Sequence, residues 1–379
     1  MIPVKYNFRS LVVRRVGTMM TIGGVGLTVG IFVSILAMVN GLENTYVNSG
    51  EPLNLVLLRK GSQTETNSYY NRSFKGIVET MNGVQAVSGE ILVIINHPRL
   101  TGESANLIVR GISDKTFALR PKIKLVEGRM LKTGLREVMV SRSVSNRFKD
   151  GKIGDAIHIG RTDWKVVGIF DAARTPYDSE IWGDYGDVAQ EFDRPIYSSL
   201  VVRCTDESSL KDVQQKIIDD RRLQMDAPRE TEYFGSQVGT AAPMKVLGYV
   251  VGIIMAIGSC FAVMNTMYAA TAYRTREIAT LRVLGFRRRN ILLSFLLESL
   301  LLALIGGALG CLFALPINGI STGTANFITF SEIVFQFRVT PRLMLIGLAF
   351  SAIVGTLGGF LPARLAARIP IVRALRTEV

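Results

Sequence analysis

The sequence predicts a membrane protein with four transmembrane α-helices and a large mixed α+β extracytoplasmic domain between the first and the second. Three observations predict it. Four apolar runs, 19–40, 244–272, 291–317 and 342–361, reach the length of about 20 residues that spans a bilayer core of about 30 Å. Between the first two runs lie about 200 residues in which charges are frequent and short β-rich stretches recur. The segments 1–18, 273–290 and 362–379 are all strongly basic, and lysine and arginine beside a span mark its cytoplasmic side. If each run spans once, these three segments share one face. The 41–243 and 318–341 segments then lie on the other.

Composition narrows the function classes. The 379 residues are 48% hydrophobic and carry a net charge of +13. Because the basic residues sit beside apolar runs, the excess reads as a topology signal rather than a nucleic-acid footprint. Cys204, Cys260 and Cys311 have no metal or disulfide spacing. His97 and His158 are the only histidines, and each reads as a lone exposed side chain. This leaves little for zinc or His-based triad chemistry.

In chain order, the first run is charge-free from Met19 to Val39. A cleaved signal peptide is the rival reading, but the run is longer than a usual h-region. Gly26 and Gly30 form a G-x-x-x-G that lets a second helix approach closely. In the 41–243 domain, strands are expected at Leu53–Arg59, Glu90–Ile95, Asn106–Gly111, Glu137–Ser141, Ala156–Ile159, Trp164–Phe170 and Ser198–Arg203. Helices are expected at Ser73–Met81, Ser143–Phe148 and Ser208–Arg221, the last capped by Ser208. Lys60–Arg72 reads as a polar loop. The acidic stretch Tyr177–Glu191 reads as a solvated loop running into a helix, since its spacing does not fit an EF-hand.

The second run, 244–272, leads into Y-R-T-R-E-I-A-T-L-R-V-L-G-F-R-R-R-N-I at 273–291. Ile278, Leu281 and Leu284 fall at helical spacing, and Gly285 reads as the glycine that ends the helix. The third run, 291–317, is broken only by Glu298 and holds Gly306 and Gly310, a second G-x-x-x-G. An acid inside a span is costly and is a functional candidate. Glu298 lies roughly 10 Å of helical rise from the basic end. It is expected to snorkel or pair with an arginine rather than relay protons. The 318–341 segment reads as a short extracytoplasmic loop. The fourth run, 342–361, is glycine-rich, and a basic tail at 362–379 follows it.

No G-K-[ST] phosphate cradle or H-E-x-x-H occurs, and the chain is expected to be no enzyme and to carry no cofactor. The spans hold almost no ionisable group besides Glu298, against an ion-coupled transporter. Energy is therefore expected from a partner.

The layout and three motifs resemble the MacB/FtsX-type permeases of ABC transporters. The motifs are R-T-R-E-I-A-T-L-R-V-L-G at 274–285, F-L-L-E-S-L-L-L-A-L-I-G-G-A-L-G at 295–310, and P-A-R-L-A-A-R-I-P-I-V-R-A-L at 362–375. E-G-R-M at 127–130 and E-V-M-V-S at 137–141 are similar more loosely. The resemblance implies a permease subunit paired with a separate ATPase that holds ATP and Mg. It implies a second permease chain, identical or not, and a periplasmic adaptor with an outer-membrane channel. It makes 273–290 the coupling helix. Arg274, Arg276, Glu277 and Arg282 would engage the ATPase, while Leu281 and Gly285 set its packing and end; Pro362, Arg364 and Arg368 match the tail motif. The implied mechanism is mechanotransmission, with export of a peptide, lipid-like molecule or drug. Activation of a cell-wall hydrolase and release of lipoproteins from the membrane stand as alternatives.

Overall fold

The computed structural model describes residues 15–326 and 329–370. Lys5, Arg9 and Arg14 of the basic N-terminal segment, and Arg373 and Arg376 of the tail, lie outside them. In chain order, helix α1 (Arg15–Val47) is followed by β1 (Asn54–Arg59), β2 (Tyr70–Asn71) and α2 (Ser73–Glu79). Next come β3 (Val84–Pro98), β4 (Ser104–Ile112), α3 (Thr116–Leu119), β5 (Lys124–Gly128), β6 (Glu137–Ser141) and α4 (Arg142–Arg147). The chain continues with β7 (Ala156–Ile159), β8 (Thr162–Asp171), β9 (Glu180–Asp184), α5 (Tyr185–Glu191), β10 (Ile196–Tyr197) and β11 (Ser199–Cys204). Then follow α6 (Glu207–Asp219), β12 (Met225–Asp226), α7 (Glu230–Gln237), α8 (Ala242–Tyr273), α9 (Thr275–Val283) and α10 (Arg288–Ala314). The hairpin β13 (Ser321–Ala325) and β14 (Glu332–Gln336) precedes α11 (Pro341–Arg368).

Among the described residues, four helical stretches are long and apolar enough to cross a membrane. Most of their length belongs to a unit made of the described parts of 1–40, 243–320 and 337–379. Glycine decides how closely they pack. A Cβ at Gly306 would come 2.8 Å from the Ile22 carbonyl oxygen, and one at Gly26 would come 3.0 Å from the Gly306 oxygen. Gly30 and Gly310 meet one turn further on. The two G-x-x-x-G motifs therefore face each other, backbone against backbone. Thr28 and Ser259 hydroxyls share a 2.6 Å hydrogen bond that ties α1 to α8. Phe32 stacks on Phe350 of α11 at 4.4 Å. Gly306→Val is expected to separate α1 from α10 and lower the melting temperature of the full chain in detergent. An unchanged melting temperature would count against this packing.

The second unit comprises 41–242 and 321–336. Its main sheet runs β12-β1-β11-β3-β4-β9-β6-β8-β5, with β7 also on β8. Most pairs are antiparallel; β4–β9 and β6–β8 are parallel. The core gathers Leu55, Leu57, Val87, Ile91, Leu107, Val138, Trp164, Leu200 and Leu210, all with no exposed surface.

Several expectations are corrected here. The acidic stretch is not a solvated loop: Glu180–Asp184 is a strand, buried over its first four positions, between β4 and β6. Asp184 caps α5 by accepting from the Gly186 and Asp187 amides. The polar loop 60–72 holds a turn of 3₁₀ helix, Glu65–Asn67, and Glu65 is buried. Asp206, not Ser208, caps α6: its carboxylate accepts the Ser209 amide at 2.8 Å. The Ser208 hydroxyl bonds that carboxylate as well, and these bonds hold it well below the usual range. His97 is buried, its Nε2 2.9 Å from the Lys149 carbonyl oxygen. His158 is exposed and lies 2.8 Å from Asp163. The 318–341 segment is a paired hairpin, not a plain loop. Helix α11 runs through Pro362 to Arg368, so the first seven residues of the expected tail are helical.

Asp178 lies in the turn Pro176–Ser179 and accepts the Ser143 hydroxyl at 2.7 Å. Burial pushes its carboxyl up to about 6, with Asp171 adding to the rise and Ser143 and Arg142 opposing it. The folded state therefore holds this proton more tightly than the unfolded chain. Its stabilising effect is full below the ordinary carboxylate range and is lost as pH rises to about 6. The penalty at neutral pH is at most about 3 kcal/mol. Asp178→Asn is expected to raise the melting temperature at pH 7.5 and to flatten its dependence between about pH 4 and 6. An unaltered profile would contradict the assignment.

Candidate coupling site

The basic stretch between α8 and α10 folds as the sequence pattern dictates. Arg274 breaks the helical run with φ −103° and ψ 14°, and α9 begins at Thr275. Ile278 and Ala279 are buried at 2% and 1% exposure. Ile278 joins a cluster with Ile291 and Phe295 of α10 and Ala363, Ala366 and Ala367 of α11. Leu281 is half-buried, and Leu284 is 70% exposed. The expected apolar face is thus anchored at its first position and open at its last.

The end of α9 is a Schellman motif. The Phe286 amide donates to the Leu281 carbonyl at 3.1 Å, and the Gly285 amide donates to the Arg282 carbonyl at 3.2 Å. Gly285 adopts φ +93°, which an L side chain resists. Arg287 then takes the N-cap position of α10 with no side-chain cap bond, and Arg287, Arg288 and Arg289 are exposed.

The charges divide into two sets. Arg274 turns inward: its Nη1 donates to Glu298 Oε2 at 2.8 Å, with the side chains 9% and 4% exposed. Its guanidinium also lies over the Phe295 ring at 5.9 Å. Glu298 of the apolar run is therefore paired. A sole acid in a span demands such a cation, and that signal was legible beside the arginine stretch. Arg276 and Glu277 point outward, Glu277 reaching only 4.0 Å from Arg274 Nε. Arg282 is half-buried, and its Nε has no hydrogen-bond partner among the described residues. Tyr273, Val283 and Leu284 are 84%, 63% and 70% exposed. On α11, Pro362 is buried, and Arg364 and Arg368 are exposed. The stretch thus has one side fixed to α10 and α11 and another that offers charges and apolar surface.

Charge is partitioned along the chain. Residues 41–242 carry 27 lysines and arginines against 27 aspartates and glutamates, so the whole excess of 13 lies outside them. No group of three or more metal-binding side chains occurs among the described residues.

Comparison with known proteins covers both halves. A family described as MacB-like periplasmic core domain matches residues 18–220, and one described as FtsX-like permease C-terminal matches 249–371. The macrolide export ATP-binding/permease protein MacB of Hahella chejuensis is 24% identical over 96% of this chain, which spans 58% of that protein. The uncharacterized ABC transporter permease YvrN of Bacillus subtilis is 25% identical over 99% of both. The extracellular domain of the ABC-type transporter YknZ from Gram-positive bacteria aligns with TM-score 0.38 at 16% identity. It covers 46% of this chain and all of that one.

Proposed function

The chain belongs to the MacB/FtsX-type permeases of ABC transporters, and from that premise we propose that it couples ATP hydrolysis on a partner ATPase to movement of its extracytoplasmic domain. The observation that carries this reading is the two-sided stretch 273–290. Its inner side is fixed by Ile278, Ala279 and the Arg274–Glu298 pair. Its outer side presents Arg276, Glu277, Val283 and Leu284. A helix held rigidly on one side and charged on the other passes a push from a docked protein into the helices behind it. Arg282 Nε, buried without a partner among the described residues, is a donor that a partner carboxylate would satisfy.

The charge partition supports the orientation. A neutral 41–242 domain faces outward, and the basic termini and 273–290 face the cytoplasm. ATP and Mg are held by the partner, and this chain acts as a dimer with a second permease chain. The substrate class is a peptide, lipid-like molecule or drug moved outward, with a periplasmic adaptor and outer channel completing the path; the Hahella chejuensis relative is described as a macrolide export protein.

The test is copurification. The chain expressed in its own cells is expected to bring down an ATPase and to stimulate its ATP hydrolysis in membranes. If none is recovered, the reading fails. Arg276→Ala with Glu277→Ala is expected to reduce that stimulation by about tenfold or more, because docked charge pairs carry several kcal/mol of coupling, while leaving the melting temperature within a degree or two of wild type. Full stimulation in the double variant would remove these residues from the contact. Recovery of a cell-wall hydrolase instead of an adaptor would favour the transducer alternative.

A further inference from the structure

The hairpin between α10 and α11 is built into the 41–242 domain. Strands β13 and β14 pair at five positions from Ser321↔Gln336 to Ala325↔Glu332. Ile333, Val334 and Phe335 are 6%, 4% and 2% exposed. Glu332 is 3% exposed, and its carboxylate is held from two directions. Arg99 donates to Oε2 from Nε at 3.1 Å and from Nη2 at 2.7 Å. Arg147 Nη2 approaches Oε1 at 2.6 Å, off the hydrogen-bond direction, so this contact is Coulombic.

The two arginines are preset by the domain itself. Arg99 forms a β-bridge with Phe148, and the Leu100 amide donates to the Arg147 carbonyl at 2.9 Å. Gly323 makes room for the contact of Arg147 with Glu332: a Cβ there would collide with Glu332 Oε1 and come 2.6 Å from Arg147 Nη2. Two neutral bonds complete the seat. Asn106 Nδ2 donates to the Phe330 carbonyl, and Asn326 Nδ2 donates to the Tyr46 hydroxyl, each at 3.0 Å. The domain is therefore continuous with the helical unit at four points of the chain, after residues 40, 242, 320 and 336, not at two.

We infer that this hairpin is a strap through which α10 and α11 act directly on the extracytoplasmic domain, and that Glu332 is its clasp. The inference rests on the proposed transmission of motion from the ATPase. A strap held only by backbone pairing within itself would peel away under load. A buried carboxylate held between two fixed guanidiniums resists peeling, because separation strands charge on both sides.

Hydrogen–deuterium exchange on the full chain in nanodiscs tests the clasp first. Glu332→Ala is expected to speed exchange of amides in 321–336 by about tenfold or more, with β3 and β11 unchanged. Arg99→Ala should act in the same direction, and Glu103→Ala, which removes only an exposed 3.7 Å neighbour of Arg99, should do nothing. Wild-type protection of 321–336 in Glu332→Ala overturns the inference. If Glu332→Ala also loosens β3 and β11, Arg147→Ala takes its place: it removes only the undirected contact, and a hairpin as protected as wild type would again overturn it.

The strap itself is tested with the ATPase that copurification recovers. Wild type is expected to show an ATP-dependent change in exchange of the 41–242 domain, reduced by about half or more in the clasp variant while ATP hydrolysis continues. An undiminished response overturns the strap. No response in wild type overturns instead the proposed transmission, and leaves the clasp measurement standing on its own.

Discussion

Arg110→Met in the full chain is expected to leave the extracytoplasmic domain unfolded. Arg110 is 2% exposed and serves three buried carboxylates. Its Nε and Nη2 each lie 2.7 Å from a Glu180 oxygen, its Nη1 lies 2.7 Å from Glu90, and both Nη atoms lie 3.0 Å from Glu65. Burial alone would depress the guanidinium, but Glu180 and Glu65 beside it hold it well above its usual range. Burial likewise acts to raise Glu90, and Arg120 and Arg110 together pull it below the usual carboxylate range. Removing Arg110 strands Glu65 and Glu180 as ions in the interior. One broken buried pair costs about 3–5 kcal/mol, against a total domain stability of about 5–15 kcal/mol, and here more than one pair breaks. Lysine is no substitute, because three donors on one nitrogen cannot serve the fork that bridges Glu180 and Glu65. Limited proteolysis of membranes reads the result: the 41–242 domain should turn from resistant to sensitive in Arg110→Met and in Arg110→Lys. Lys75→Met, at the half-exposed surface pair Lys75–Glu79, should leave it resistant. A resistant Arg110→Met domain would show that the network contributes little to the fold.

This network marks where the sequence stops being legible. The spans, their order and the charge of their flanks are written locally, in runs of about 20 residues. So are α9 and its glycine stop, because 3.6-residue spacing and a positive φ are properties of neighbours. Arg110, Glu65 and Glu180 are different. On a strand, an isolated charge reads as the solvent-facing side, and the partners that bring these three inside are 45 and 70 residues away. The same distance hid β9, whose Glu180 and Asp184 look like loop residues until Arg110 and the α5 cap account for them. It hid the hairpin too. S-T-G-T-A lacks bulk, E-I-V-F-Q is short, and Glu332 reads as an outward charge until Arg99 and Arg147 meet it from residues more than 180 positions earlier. At the candidate site the lone acid Glu298 did announce its need for a cation. Which of the six nearby arginines turns inward depends on the break between α8 and α9, which no local spacing encodes.

Arg274→Ala and Glu298→Ala are each expected to destabilise the helical unit strongly, and the pair Arg274→Met with Glu298→Leu to restore it. The reason is the asymmetry of buried charge. The two side chains meet at 2.8 Å with almost no exposed surface, inside a cluster of Phe295, Ile291, Ile278 and alanines of α11. Either single change breaks the buried pair, which costs about 3–5 kcal/mol. The apolar pair removes both buried ions together, and replacement of this kind is often neutral. Melting of the purified chain in detergent should show both single variants well below wild type and the double variant close to it. A single variant as stable as wild type would mean that water reaches the pair. The double variant also separates stability from transmission. Its α9 would still seat Ile278 and Ala279, but the directed bond from Arg274 to Glu298 of α10 would be gone. If that bond carries the push of the ATPase into α10, stimulation of ATP hydrolysis should stay low in the restored double variant. If stimulation returns with stability, the pair serves the fold alone, and the push enters through Ile278 and the α11 alanines.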